Sequence, residues 1–378
     1  MRKLIPLLFL PLIFSCGGVS TSEKSQKVRI SYSIDTVVID SKEDFLFLKH
    51  DLSTFGISKD KRFLFNIDEL GSRLEVIDLD SLILKEKIPF EREGPNGVGP
   101  EHIANFQVLD NGNFCFFNIH KITVFSPDLK KVSSHYFYPE VFENDTLPYG
   151  SEIDLMRGRI NGTGSRFAGL NFIFFENEIL GIALVDLEKN ELKLIPTDKL
   201  DYLKELIYTT VYENGSKIHQ IEGNYVDFFE DKLLLTTTAK NEVLIYDLEK
   251  DSLKSKSFHS KFTADIKKGN FKAETNSDLA SRKRELEVYY GRLIFDESNG
   301  VFWRYSRESK SSNSNSPDFE YVLTAFDKDL NQVHEEKLEV DWTHVPLIKF
   351  VKDGMLYTYL NIEDELAFLR LKPTLNEN

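Results

Sequence analysis

Three observations make this chain an all-β protein, and more narrowly a six-bladed β-propeller of four-stranded antiparallel blades in which an N-terminal strand closes the last blade. One phrase of three runs separated by polar turns recurs six times between residues 62 and 371. The runs are rich in β-branched and aromatic residues and bounded by Asn, Asp, Gly, Lys and Ser, which are strand and hairpin signals. Their apolar positions alternate or continue without a break, and no 3.6-residue helical period appears.

The copies follow in order. The first runs from 62–67 through 74–79 to 82–85, and the second from 113–117 through 122–128. The third covers 171–175 and 182–188, and the fourth 232–238 and 243–249. The fifth covers 300–305 and 322–328, and the sixth 355–360 and 366–371. Anchors at 78, 127, 186, 247, 327 and 370 fall near Asp-Leu or Pro-Asp pairs, at intervals that suit four-stranded blades with loop insertions. Asp353-Gly354 and Asn111-Gly112 supply the positive φ of tight hairpins. Each blade packs against two neighbours, which accounts for continuous apolar runs such as Phe172-Ile173-Phe174-Phe175. The sixth copy offers only three strands, and the isolated strand from Asp35 to Asp40 supplies its fourth, protecting an open edge. A pair of β-sandwiches is the competing architecture, and six regular copies count against it.

Two stretches break the rhythm. Residues 140–168 read as a long loop containing Gly158, Gly162 and Gly164 with Arg157, Arg159 and Arg166. Residues 260–290 hold one helix, from about Ser277 to Tyr290, with Ser277 or Asp278 as its cap. Long insertions in a compact repeat are often functional. Their basic residues form either a solvated face or an anion site.

The N-terminus reads as an address. Arg2 and Lys3 precede an apolar run from Leu4 to Phe14, about half the ~20 residues that a bilayer span requires. The run ends in Leu12-Ile13-Phe14-Ser15-Cys16-Gly17, which resembles a bacterial lipobox in which the Cys16 thiol receives the lipid; Phe14 departs from the small residue usual there. That resemblance implies a signal peptide over 1–15 and a lipidated tether over 16–27, ahead of the single propeller domain over 28–374 that the repeats predict. It also implies an outer-membrane lipoprotein facing the periplasm or the cell surface, whose membrane contact is its lipid. With Cys16 acylated, Cys115 is the only free thiol, and its apolar strand makes it a buried filler.

Among the 378 residues, 47 Lys and Arg stand against 61 Asp and Glu, a formal charge of −14. No basic surface is available to neutralise phosphates, so nucleic acid is excluded as a partner. Hydrophobic residues at 41% and 30 Phe exclude a disordered chain, because that much apolar surface must be buried. A monomer is expected.

The lipobox, the tether and the six copies together look like the six-bladed propeller lipoproteins of Gram-negative bacteria, related to TolB-like and NHL-like propellers and often of unknown function. The segment from Phe90 to Ile103, with Gly94-Pro95-Asn96-Gly97-Val98-Gly99-Pro100 at its centre, resembles the Gly-Pro-rich crossing between their first two blades. Gly291-Arg292-Leu293-Ile294-Phe295-Asp296-Glu297, followed by Phe302-Trp303-Arg304-Tyr305, resembles their later tyrosine/arginine strand. The resemblance spans nearly all of 28–374 and implies a fold and a location but no activity.

Searching for chemistry yields candidates without a catalytic set. The Gly94–Gly99 stretch lacks the Gly-Lys-Ser/Thr ending of a phosphate loop. It is either a blade-crossing turn or the rim of a ligand site, with Arg92, Glu93, Asn96, Glu101 and His102 as the polar groups. The eight histidines show no paired metal-ligand spacing, so neither metal nor cofactor is assigned. By similarity to lactonase propellers, Asn105, Asn224 and Asp227 are candidates for the channel wall, and Arg304 for a channel arginine or an inter-blade pairing. Asp35-Thr36-Val37, Asp80-Ser81-Leu82, Asp145-Thr146-Leu147 and Asp251-Ser252-Leu253 look like O-glycosylation sequons, although Asp-Ser at a turn before a strand explains them equally. The expected function is a binding module for a protein or glycan; the alternative is a propeller hydrolase or lyase acting in the channel.

Overall fold

The computed structural model describes residues 28–48, 51–173, 178–211, 217–272, 276–313, 317–340 and 348–377. Cys16 and the segments expected to be a signal peptide (1–15) and a tether (16–27) lie outside them.

Six antiparallel sheets are arranged as the blades of a propeller, each ordered from an innermost to an outermost strand. Blade 1 comprises Phe55–Ile57, Phe63–Asp68, Arg73–Asp78 and Ile83–Pro89. Blade 2 comprises Asn105–Val108, Phe114–Phe117, Lys121–Phe125 and Lys131–Tyr136. Blade 4 comprises Asn224–Phe229, Lys232–Thr237, Glu242–Asp247 and Ser252–Ser257. In blades 3 and 5 the innermost strand is broken. Ser151–Ile153 and Arg159–Ile160 both pair with Arg166–Ile173, followed outward by Glu178–Asp186 and Glu191–Pro196. Tyr289–Tyr290 and Ile294–Asp296 both pair with Val301–Ser309, followed by Phe319–Phe326 and Gln332–Leu338. The stretch read as a loop over 140–168 therefore contains the inner strand of blade 3, interrupted where Asp154 Oδ1 accepts the Arg157 N–H at 3.1 Å.

Blade 6 runs Ile348–Lys352, Met355–Ile362, Glu365–Glu377 and then Val28–Val38. The N-terminal strand closes the ring as expected, but it starts and ends earlier than 35–40. Its register runs from Val28 opposite Glu377 to Val38 opposite Ala367. Beyond it the chain turns to blade 1, where the Asp40 N–H donates to the Leu82 carbonyl at 2.8 Å.

Six apolar clusters hold the ring, one at each seam between blades. In blade 2, Phe114 and Phe116 face blade 1, whereas Cys115 and Phe117 face blade 3. In blade 4, Leu233 and Leu235 face blade 3 and Leu234 faces blade 5. Alternation along a strand thus feeds two cores, so the sequence reads as unbroken hydrophobicity. Cys115 is fully buried, and burial pushes its thiol up to about 12.

The anchors of the repeat also have a physical cause. Asp78, Asp186 and Asp247 end the third strands of their blades, and each accepts backbone N–H bonds from residues two and three further on. These Asx turns bend the chain into the outermost strand. Asp353 and Gly354 both have positive φ, at 51° and 71°. In the Asn111-Gly112 turn only Gly112 does, at 85°.

The long crossings lie on one face of the ring, where the inner strands begin; short hairpins join the inner to the second strands on the other. On the crossing face, a 3-10 helix over Asp198–Leu206, which the sequence pattern missed, packs with Tyr208, Phe271 and Ala280 onto the seam of blades 3 and 4. The helix Ser277–Leu286 is present, but its cap is Asn276, whose Oδ1 accepts the Leu279 N–H at 2.9 Å. Buried Glu222 fastens this region, accepting from Lys267 Nζ at 2.9 Å, Arg284 Nε at 2.7 Å and Thr238 Oγ1 at 2.7 Å. Among the described residues no helix is long and apolar enough to cross a membrane.

Candidate functional site: the central channel

The six inner strands converge on one channel. A cavity of about 660 Å³ takes residues from every blade and opens toward the hairpin face. A compartment of about 250 Å³ lies toward the crossing face, bordered by Leu52, Tyr225, Gly291, Tyr305 and Ile348. Ser53, Phe55, Arg159, Arg292 and Lys349 border both. The middle of the channel is therefore walled by three cationic side chains, in a protein of strongly negative net charge.

Each cation sits where an inner strand departs from regular pairing. Arg159 follows the interruption in blade 3. Arg292 lies in blade 5 between Tyr290, opposite Ser306, and Ile294, opposite Trp303, so three residues face two. Lys349 is skipped in blade 6, where Ile348 pairs with Thr358 and Phe350 with Tyr357. Bulges of this kind re-aim side chains. Blades 1, 2 and 4 keep unbroken register in their inner strands.

Blade 2 holds Arg159 in place. Asn105 Nδ2 donates to the Gly158 carbonyl at 3.0 Å, and the Ile160 N–H donates to Gln107 Oε1 at 2.8 Å. Gly158 is required by space: a Cβ there would meet Phe167 Cζ at 2.2 Å and the Asp154 carbonyl oxygen at 2.8 Å.

Asp227 also faces the channel, and Arg292 grips it through Nε at 2.7 Å and through Nη2. Burial pushes the Arg292 guanidinium down, but the Asp227 carboxylate outweighs it and holds the pKa above the usual value. Arg159 is pushed down by burial and by neighbouring Arg292, with Asp227 opposing; a guanidinium stays charged throughout. Burial lowers Lys349 to about 8, against the attraction of Asp51. Neither Arg159 nor Lys349 has a hydrogen-bond or ion-pair partner among the described residues. At the hairpin-face mouth, by contrast, Lys59 pairs with Asp110 at 2.9 Å and Lys61 with Glu297 at 3.6 Å. Toward the crossing face, Tyr225 and Tyr289 share a hydroxyl contact at 2.8 Å.

The candidates from the sequence separate in space. Asn105 and Asp227 border the channel. Asn224 begins the same inner strand as Asp227 but is buried away from the cavity, and neither of its amide atoms is hydrogen-bonded among the described residues. Arg304 lies between blades 4 and 5, its guanidinium 4.8 Å from the Tyr290 ring centre and 4.9 Å from that of Phe326, and it donates to Asn241. That is the inter-blade alternative, stabilised by cation–π contact.

The Gly-Pro segment is a crossing between blades 1 and 2. Arg92 Nη2 donates to the carbonyls of Pro100 and Glu101 at 3.0 and 2.6 Å, His102 Nδ1 lies 2.7 Å from Glu69, and Asn96 accepts the Lys131 N–H at 3.1 Å. Glu93 and Glu101 are exposed, and none of the five lines the channel. Of the basic residues in the two insertions, Arg157 pairs with Asp154 and Arg284 with Glu222, and Arg159 reaches the channel. Thr36, Ser81, Thr146 and Ser252, the hydroxyl residues of the sequon-like triplets, are exposed. No three His, Cys, Asp or Glu side chains gather as metal ligands among the described residues.

Sequence reading missed Lys349 and Tyr225 altogether and met Arg292 only inside a resemblance. A one-residue bulge leaves no mark in composition or period.

Comparison with known proteins agrees with this architecture. A family model described as a domain of unknown function, DUF4221, matches residues 27–337. The crystal structure of a member of that family from Bacteroides vulgatus covers 93% of this chain and 100% of its own, with 15% identity and a TM-score of 0.61. The β-propeller domain of Myceliophteria thermophila Cps50 (Swd1) covers 90% of this chain and 99% of its own, with 13% identity and a TM-score of 0.40. No curated protein matches.

Proposed function

The chain belongs to the DUF4221 family, a domain of unknown function, and from that premise we propose that it is a lipid-anchored binding module of the outer membrane that receives part of a glycan or a peptide in its central channel. The observation that carries this reading is the convergence of all six blades on a cavity of about 660 Å³ whose middle is polar and charged. Small-ligand sites commonly have that volume, and they orient their occupants with a few placed polar groups. Hairpins on one face and crossings on the other leave the channel as the place where every blade contributes at once. The lipobox-like run ending at Cys16 supports the anchor, with the tether holding the ring off the membrane.

Thermal unfolding of the full chain with a panel of neutral and acidic oligosaccharides and short peptides tests the channel. Ser53 borders both compartments and is exposed to them, so Ser53→Trp plugs the passage. A bound ligand at about 100 times its dissociation constant adds roughly 2.7 kcal/mol. The expected result is a raised midpoint that Ser53→Trp abolishes; a shift that survives the plug places binding elsewhere. For the anchor, Cys16→Ala is expected to move the protein from the membrane to the soluble fraction. Retention at high salt refutes a lipid-only attachment.

A further inference from the structure

We propose that the middle of the channel is an oxyanion site in which Arg159, Lys349 and the free edge of Arg292 receive a carboxylate or phosphate group borne on a small molecule. This rests on the channel-binding reading and adds the chemistry of what is bound.

Charge balance comes first. Among the described residues, three cations face Asp227 as the one carboxylate bordering the middle of the channel, and Asp227 engages only Nε and Nη2 of Arg292. Asp51, the next acidic influence, attracts Lys349 without bonding to it. A half-buried cation without a partner costs solvation energy, and proteins seldom retain one unless something supplies the countercharge. Here two such cations share one cavity, while the cations at the hairpin-face mouth are paired.

The backbone supplies the second argument. Arg159, Arg292 and Lys349 stand on three different blades: Arg292 and Lys349 are unpaired residues at bulges in their inner strands, and Arg159 is the first residue to pair again after the interruption in blade 3. Asn105 and Gln107 then hold the strand carrying Arg159 from the neighbouring blade. Three independent departures from ideal pairing, all delivering positive charge to one place, form a built site. Guanidinium groups present planar donor forks and an ammonium a point charge, the combination that recognises carboxylate and phosphate oxygens.

Asp227 then has a definite role. It occupies one edge of Arg292 and competes with the incoming anion, so it limits affinity and keeps Arg292 oriented. As an internal counterion it is a positioning residue, and its removal is expected to strengthen binding.

Calorimetric titration of the full chain in mild detergent tests this with inorganic phosphate, glucuronate, glucose 1-phosphate and, as the neutral control, glucose. At least one anion is expected to bind while glucose does not. Binding of glucuronate alone identifies a carboxylate ligand; binding of phosphate and glucose 1-phosphate identifies a phosphorylated one. Arg159→Gln is expected to weaken the anion at least tenfold, and Asp227→Asn to strengthen it severalfold. Lys349→Met, which removes a desolvated charge and so preserves folding, must also weaken it. The proposal is overturned if no anion binds, if Arg159→Gln and Lys349→Met leave the affinity unchanged, or if Asp227→Asn weakens it. A neutral sugar that binds and is blocked by Ser53→Trp, with no anion effect, overturns the oxyanion site and leaves the channel reading standing.

Discussion

In blade 2, Phe114 and Phe116 point to one neighbour and Cys115 and Phe117 to the other, in unbroken register with the strand beside them. In blade 6, two blades away round the ring's inner wall, Lys349 is squeezed out of register so that its side chain enters the channel. The second, third and outermost strands of the blades thus repeat one instruction, which is to fill two seams and turn. The innermost strands do not repeat. Those of blades 1, 2 and 4 stay regular, and those of blades 3, 5 and 6 depart from pairing just before Arg159 and at Arg292 and Lys349. Repetition stores the fold, and departures from it store the site.

That contrast makes substitutions in the two regions separable. The largest expected effect is at a seam. Phe116 is fully buried between blades 1 and 2 and packs edge-on against Phe106 and Phe125 at 5.0 and 5.3 Å. Phe116→Ala is expected to cost about 3–5 kcal/mol, read as a lowered denaturation midpoint, with the ligand affinity of the surviving folded protein unchanged. A loss of affinity in parallel would mean that seam and channel are one unit.

Gly158→Ala sits at the boundary between the regions. The added methyl group collides with Phe167 and displaces the strand carrying Arg159, so a stability loss of about 1–3 kcal/mol is expected together with lost anion binding. Retained binding would show that Arg159 does not depend on this strand.

The smallest effect is a pH dependence. Lys349 has a folded pKa of about 8 against an ordinary 10.5, so between those values the unfolded chain binds more protons and stability from this group rises with pH. Arg159, Arg292, Asp227, Asp51, Tyr225 and Tyr305 surround it as the other charged or titratable groups among the described residues. A bound anion favours the ammonium, and its affinity is expected to fall over the same interval. Unfolding midpoints of the wild type and Lys349→Met from pH 7 to 10.5 check the first statement: the two curves should converge as pH rises. Parallel curves would remove Lys349 from the channel's electrostatics.

The legibility of the sequence follows the same division. Runs such as Phe114-Cys115-Phe116-Phe117 and the Asp residues at 78, 186 and 247 announced blades and turns, because seam packing and Asx turns act through residue type at short range. The closing strand was legible because blade 6 lacked a partner. The site is partly legible: Asp227 and Asn105 stand out by strand position, whereas Arg159 reads as part of a loop. The pairing of strand 159–160 with 167–168 depends on an interruption at Asp154–Gly158 that no periodicity shows. Arg92 and His102 stand in a polar, glycine-rich context that suggests a ligand rim, yet they serve a crossing, because the same residue types stitch loops and bind ligands.

The closing strand has a consequence for the order of assembly. Val28–Val38 precedes every blade in the chain, and its partner Glu365–Glu377 follows five of them. A chain that emerges N-terminus first must keep this strand waiting, its backbone donors and acceptors unanswered, until the last hairpin arrives. During that wait, the first strand of one molecule and the unfinished sixth blade of another are equally good partners. Exchange between them would yield two complete rings joined by their leading segments, so folding at high concentration is expected to favour linked pairs over single rings.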